Sequence, residues 1–420
     1  MAKYKEIRKC RICGNDKLDL VLSLGEQSLT GVFPKRKDQP ITAGPLELVK
    51  CRETGAGEHC GLLQLRHSYD DSEMYGDNYG YRSGLNQSMV KHLQDKVRKI
   101  LGVVTLKKSD LVVDIGSNDA TLLKAYPQGE IVLAGIDPTG SKYREYYPDY
   151  IKLIPELFNA RLIKEKFGEK KAKIITSIAM FYDLESPMAF VEQIAEILAD
   201  DGVWVLEQSY MPTMLTIDAY DTVCHEHLEY YALKQIKWLT DRAGLKIVDV
   251  DLNSVNGGSF SVMVAKSSSA YKENTKLINE LLAVEETAGL RTLAPYQAFA
   301  LRVADHKKEL LKFIAERKKK GEKIFAYGAS TKGNVILQYC HLTEQDIPAI
   351  AEVNSNKFGS FTPGTLIPII SEAEARAQKP DYFMVLPWHF RDGIVEREKE
   401  YLNSGGKLFF PLPKLEVVSK

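Results

Sequence analysis

The segment Leu111-Val112-Val113-Asp114-Ile115-Gly116-Ser117-Asn118-Asp119 is an apolar run that ends in a glycine-containing loop, and the pattern repeats downstream. Residues 131–137, 172–177 and 202–207 form similar runs, while 120–126 and 187–198 read as helices between them. Short apolar runs of this kind are strands buried on both faces, and strands that alternate with helices pair in parallel. The expected class is therefore α/β, with ligands at the C-terminal ends of the strands.

A chain of 420 residues has room for two or three such domains. Three parts are expected: 1–88, 89–255 and 256–420. The second begins with an amphipathic helix over 85–101 that places Met89, Leu93 and Val97 on one face. The third carries a helical region over 275–317, then strands near 323–328, 349–353, 382–386 and 407–410, which make a second α/β domain. The 56 basic and 56 acidic residues cancel, so no broad positive field for nucleic acid is expected. No apolar run reaches the roughly 18 residues of a membrane span, and no signal peptide is evident, so the expected location is cytoplasmic. A monomer is compatible with this composition.

The first part holds Cys10-x2-Cys13 and Cys51-x8-Cys60. Two thiolates on one tight turn can fill two corners of a tetrahedron, so these four cysteines are the expected ligands of a structural zinc ion. The alternative is four buried reduced thiols. His59 is a neighbour and not a needed ligand, because four thiolates close the shell.

In the second part, Asp137 ends the strand after the first loop, twenty-three residues beyond Asp114. An acid there can accept both hydroxyls of a ribose. A dinucleotide fingerprint needs glycine at three positions to admit a pyrophosphate, whereas Asn118 and Ala120 stand where further glycines would fall. S-adenosylmethionine has no phosphate and tolerates the bulkier loop. It is the expected cofactor, with Asp114, Gly116, Ser117, Asn118, Asp119, Asp137, Pro138 and Ile178 as its contacts.

About one hundred residues on, Cys224-His225-Glu226-His227 is a compact proton-transfer cluster. A metal pair at His225 and His227 is the alternative, but the His-Glu-x-x-His spacing is missing. In the third part, Gly328-Ala-Ser330-Thr331-Lys332-Gly333-Asn334 leads from a strand into a helix. Backbone amides, hydroxyls and a lysine there suit a diphosphate. Asn256-Gly-Gly258-Ser offers a further backbone approach to a substrate.

Together Cys10-x2-Cys13, Cys60-Gly-Leu-Leu-Gln-Leu, Asp114-Ile-Gly-Ser-Asn-Asp-Ala, Asp221-Thr-Val-Cys-His-Glu-His-Leu-Glu-Tyr-Tyr and Tyr327-Gly-Ala-Ser-Thr-Lys-Gly-Asn resemble the nucleotide-sugar C-methyltransferases. Thr362-Pro-Gly-Thr-Leu-Ile-Pro-Ile and Val385-Leu-Pro-Trp-His extend the resemblance over nearly the whole chain. It implies an S-adenosylmethionine-dependent enzyme that methylates C3 of a nucleotide-linked 4-keto-6-deoxyhexose. It also implies that His227 is the base with Glu226 beside it, and that Tyr79 and Tyr81 lie at the sugar pocket. The family usually carries an aromatic residue where this chain has Cys224, a His where it has Asp183, and a His where it has Asn256. Alternatives are an O- or N-methyltransferase on a related sugar, or a zinc-containing nucleotide-sugar binding protein without methyl transfer.

Overall fold

The computed structural model describes residues 4–55, 57–74 and 82–420. Two parallel-rich sheets and a smaller antiparallel one carry the architecture. Leu111–Ile115 lies inside a seven-stranded sheet. On one side lie Val132–Ile136 and Ile151–Ile154; on the other lie Ala172–Ile178, Leu198–Ser209, Ser259–Lys266 and Leu245–Asn253. Numbered along the chain, the order is 3-2-1-4-5-7-6, with the seventh strand antiparallel to both its neighbours. The order reverses between the first and fourth strands, and a crevice opens at such a point.

Alternate residues of these strands feed two different cores. Val112, Val203 and Val205 pack under Met89, Leu93, Val97 and Ile100 of the helix Gln87–Leu101. Val113, Ile115, Trp204 and Leu206 face the opposite way, toward Ile163, Phe190, Ile194 and Ile236. The period-two alternation thus reads as helix cover on both faces.

One expectation is corrected. The helix expected over 120–126 is only a short 3-10 turn, Leu123–Ala125. Asn118 and Ala120 adopt left-handed backbone, with φ of 49° and 60°, and a right-handed helix cannot run through them. The seven-stranded sheet also takes in a strand beyond residue 255, since Ser259–Lys266 pairs with Leu198–Ser209.

The second sheet follows the order 3-2-1-4-5-6: Ile324–Tyr327 and Tyr382–Val385 are its adjacent first and fourth strands, and only the last, Glu416–Val418, is antiparallel. The helices Ala294–Lys319 and Thr331–Tyr339 flank it. The antiparallel sheet joins Leu18–Ser28, Ala43–Cys51 and Leu63–Leu65 to Glu229–Tyr230. That last strand follows His227 directly, so the chain returns to its first part just after the His-Glu-His block. Among the described residues no helix is long and apolar enough to cross a membrane.

Candidate active site

At the first loop, Gly116 turns the chain with φ of 75°, and a Cβ there would come within 3.0 Å of Met180. A side chain at this position would be strained and crowded. The Asp137 carboxylate accepts from Asn118 N at 2.7 Å and from Thr139 N and Oγ1 at 2.7 and 2.6 Å. Asp114 lies beneath the loop and accepts from Thr176 Oγ1 at 2.6 Å; burial pushes its pKa up to about 7. Ser117 Oγ meets Tyr147 Oη at 2.8 Å. Asn118 Oδ1 and Asp119 Oδ2 hold the backbone amides of Ser83 and Gly84. Ile178 is half-buried at a strand end and Pro138 is exposed beside Asp137. Asp114, Ser117 and Asp119 are thus buried and bonded within the protein, and they set the loop's shape.

Sequence reasoning passed over Met180, Tyr147 and the Arg82–Gly84 crossing. It also passed over Glu207, a buried carboxylate that meets His92 at 2.5 Å and Lys96 at 2.6 Å. His92 and Lys96 are four apart on one helix face, which was the available signal.

The His-Glu-His block threads the junction of all three sheets. Leu228 N donates to Tyr182 O, and Leu65 N donates to Leu228 O, each at 2.8 Å. Cys224 and His225 are completely buried. Burial drives the Cys224 thiol well up and the His225 imidazole down to about 3. His225 stands edge-on to Tyr69 at 4.6 Å, with Nδ1 3.4 Å from Thr30 Oγ1. Neither side chain opens to solvent.

Glu226 occupies the meeting point itself. Its Oε2 accepts from Thr30 Oγ1 at 3.3 Å. A Cβ added to Gly31 would fall 2.2 Å from Glu226 Oε1 and 3.6 Å from Thr331 Oγ1. Burial raises its pKa, which favours the protonated acid.

His227 is half-buried, with Nδ1 2.8 Å from the Thr222 carbonyl oxygen and its ring 4.2 Å from that of Tyr182. A carbonyl only accepts, so Nδ1 carries the proton and Nε2 keeps the lone pair. Burial and then the Lys332 charge lower its pKa to about 3, so the imidazole is neutral. Asp183, half-buried after the strand Ala172–Ile178, lies near enough for its charge to act on Cys224. Tyr79 and Tyr81 lie outside the described residues.

Ser330 caps the helix Thr331–Tyr339 by accepting from Gly333 N at 3.0 Å. Asn334 ties this loop to the first part, donating to Thr30 O at 2.7 Å. Lys332 reaches back and donates to Asn256 O at 3.0 Å. Asn256 has φ of 55°, and a Cβ on Gly258 (φ 118°) would press Thr213 at 2.5 Å. Lys332 and Thr331 therefore approach the block, while Ser330, Gly333 and Asn334 hold the loop.

The four sulfurs of Cys10, Cys13, Cys51 and Cys60 lie within 4.8 Å of one another. Cys10–Cys60 and Cys13–Cys51 are 3.5 and 3.6 Å apart. A tetrahedron with Zn–S bonds of ~2.3 Å has edges of about 3.8 Å, so the set fits. Asn15 Nδ2 adds a donor to Cys51 Sγ at 3.3 Å, the outer support that metal ligands receive.

A parallel sheet whose order reverses beside an acid at the end of its second strand is the arrangement of α/β enzymes that bind a nucleoside cofactor. Residues 86–250 match the methyltransferase domain family, and residues 254–413 match the C-methyltransferase C-terminal domain family. Residues 10–75 match a domain whose description proposes zinc binding. C-methyltransferase NovU of Streptomyces niveus is 30% identical over 422 residues, 99% of this chain and 98% of its own. The chain belongs to this family of S-adenosylmethionine-dependent C-methyltransferases. Solved structures align only in part. An O-methyltransferase family protein of Burkholderia thailandensis is 16% identical, covering 44% of this chain and 57% of its own at a TM-score of 0.33. The CcbJ methyltransferase of Streptomyces caelestis is 11% identical, covering 41% and 89% at 0.33.

Proposed function

We propose that the protein methylates a ring carbon beside the ketone of a nucleotide-linked 4-keto-deoxysugar, C3 by the resemblance, by way of an enolate. The observation that carries this reading is the His227 tautomer. The Thr222 carbonyl holds the proton on Nδ1, so Nε2 is a neutral base at the junction of the three sheets. A sugar carbon is not nucleophilic until it loses a proton, and a ketone alongside makes that proton removable.

In the step, Nε2 of His227 takes the proton and the C–H electron pair spreads onto the ketone oxygen. Glu226, whose burial favours the acid form, donates toward that developing charge. Bound S-adenosylmethionine supplies the methyl group as an electrophile. Gly116 leaves room at the loop for the cofactor, and Asp137 accepts from its ribose. Lys332 and the loop that Ser330 caps hold the diphosphate. We assign one structural zinc ion to Cys10, Cys13, Cys51 and Cys60.

Incubation with S-adenosylmethionine and a panel of nucleotide-linked 4-ketosugars, followed by mass spectrometry, tests the reading. The expected product is heavier by about 14 Da, the mass of one CH2, with the new methyl on carbon. A methyl on oxygen or nitrogen would overturn the enolate route.

A further inference from the structure

In the C-terminal sheet the strand order reverses between Ile324–Tyr327 and Tyr382–Val385. Ligands of open α/β sheets lie in the crevice outside such a pair. The loop Gly328–Gly333 leaves the first of these strands. The segment Leu386-Pro-Trp-His-Phe390 leaves the other and lies directly against that loop. A Cβ on Gly328 would fall 2.8 Å from Pro387, and one on Gly333 would fall 2.7 Å from Leu386.

Trp388 is fixed in this segment. Its Nε1 donates to Asp221 Oδ2 at 2.7 Å, and the far edge of its indole lies 2.9 Å from where a Gly257 Cβ would be. His389 is thereby carried to the crevice, its ring 5.8 Å from Trp388 and 4.2 Å from Phe390. Its Nδ1 is enclosed and, among the described residues, has no partner. The residue is only partly buried, and among its ring nitrogens only Nδ1 is enclosed without a partner.

From this geometry we infer that His389 is a second diphosphate-binding group, which donates a hydrogen bond from Nε2 to a phosphoryl oxygen that Lys332 also holds. Nothing near Nδ1 accepts a proton, so the proton belongs on Nε2. Burial and the Lys332 charge keep the ring neutral, pushing it down to about 3. It is the tautomeric opposite of His227: one imidazole presents a lone pair and the other a donor. Asp221, through Trp388, acts as a positioning residue.

The inference rests on the nucleotide-sugar reading, and one set of titrations separates the two. Full-length protein is titrated with dTDP and with UDP. His389→Phe, which keeps the ring shape and removes the donor, should weaken binding by about 10- to 100-fold, the scale for one hydrogen bond to a charged group. His389→Gln, whose amide still donates, should retain most of the affinity. S-adenosylmethionine affinity should hold in both variants. In turnover, KM for the nucleotide sugar should rise in His389→Phe with kcat little changed. Unaltered dTDP and UDP affinity in His389→Phe overturns the inference, as does a fall in kcat with diphosphate affinity intact. Failure of both diphosphates to bind the wild-type protein overturns the nucleotide-sugar reading and this inference with it.

Discussion

His225 and His227 stand two positions apart, and burial drives both toward the neutral form. Only His227 keeps an exposed edge. Each Nδ1 lies near a threonine hydroxyl, at 3.4 Å for His225 and 3.3 Å for His227, and His227 Nδ1 also meets a backbone carbonyl at 2.8 Å. His225 has a consequence for stability. Its folded-state pKa of about 3 lies below the ~6.5 of an unfolded chain. As pH falls below about 6.5 the unfolded state binds a proton that the folded state refuses. This contribution is therefore complete above that pH and declines toward pH 3. Thermal midpoints measured from pH 7 to pH 4 should fall, and His225→Gln should flatten the slope. An unchanged slope would mean that His225 is protonated in the folded protein. The residue types of this block were legible in the sequence, and the resemblance singled out His227. Its tautomer was not legible, because Thr222 O belongs to backbone whose path only the fold determines.

At the scale of elements, the first loop shows why a sequence pattern can mislead. Residues 120–126 are mostly good helix formers, and propensity favours a helix there. The segment Arg82–Gly84 instead crosses the loop, its Ser83 and Gly84 amides donating to Asn118 Oδ1 and Asp119 Oδ2, and Asn118 and Ala120 turn left-handed. The buried parallel strands announce themselves as apolar runs. Leu245–Asn253 is a sheet-edge strand with mixed burial, and it gave no comparable run. Asp137 joins the two loops of the cofactor crevice through Asn118 N. Asp137→Ala should weaken S-adenosylmethionine binding by roughly 1.5–3 kcal/mol, the range for hydrogen bonds to a charged group. Calorimetric titration of the folded variant checks this, and undiminished affinity would place the ribose elsewhere.

For the molecule as a whole, the decisive feature is that Glu229–Tyr230 leaves the methyltransferase sheet region to pair with Leu63–Leu65. This brings Thr30, Glu226 and Thr331 together from three distant stretches of chain. No local pattern could announce that meeting, since it depends on how separate sheets dock. The cysteine cluster braces the same antiparallel sheet, with Cys51 ending one strand and Cys60 preceding the next. Protein purified without chelator should hold about one zinc per chain, as a closed four-ligand site does. Cys51→Ser should lower both zinc content and thermal stability, because metal binding to such a site is coupled to folding. A variant unchanged in both would show that the thiols are packing groups alone.

The central claim is that His227 removes the proton from the carbon that becomes methylated. It is tested most directly by incubating the enzyme, the accepted 4-ketosugar and the spent cofactor in deuterated water and following the sugar carbon beside the ketone. The wild-type protein should exchange that proton for deuterium. His227→Ala should bind both ligands, turn over about 10²–10⁴-fold more slowly, the usual scale for loss of a general base, and exchange nothing. Continued exchange in His227→Ala, with methyl transfer abolished, would contradict the assignment.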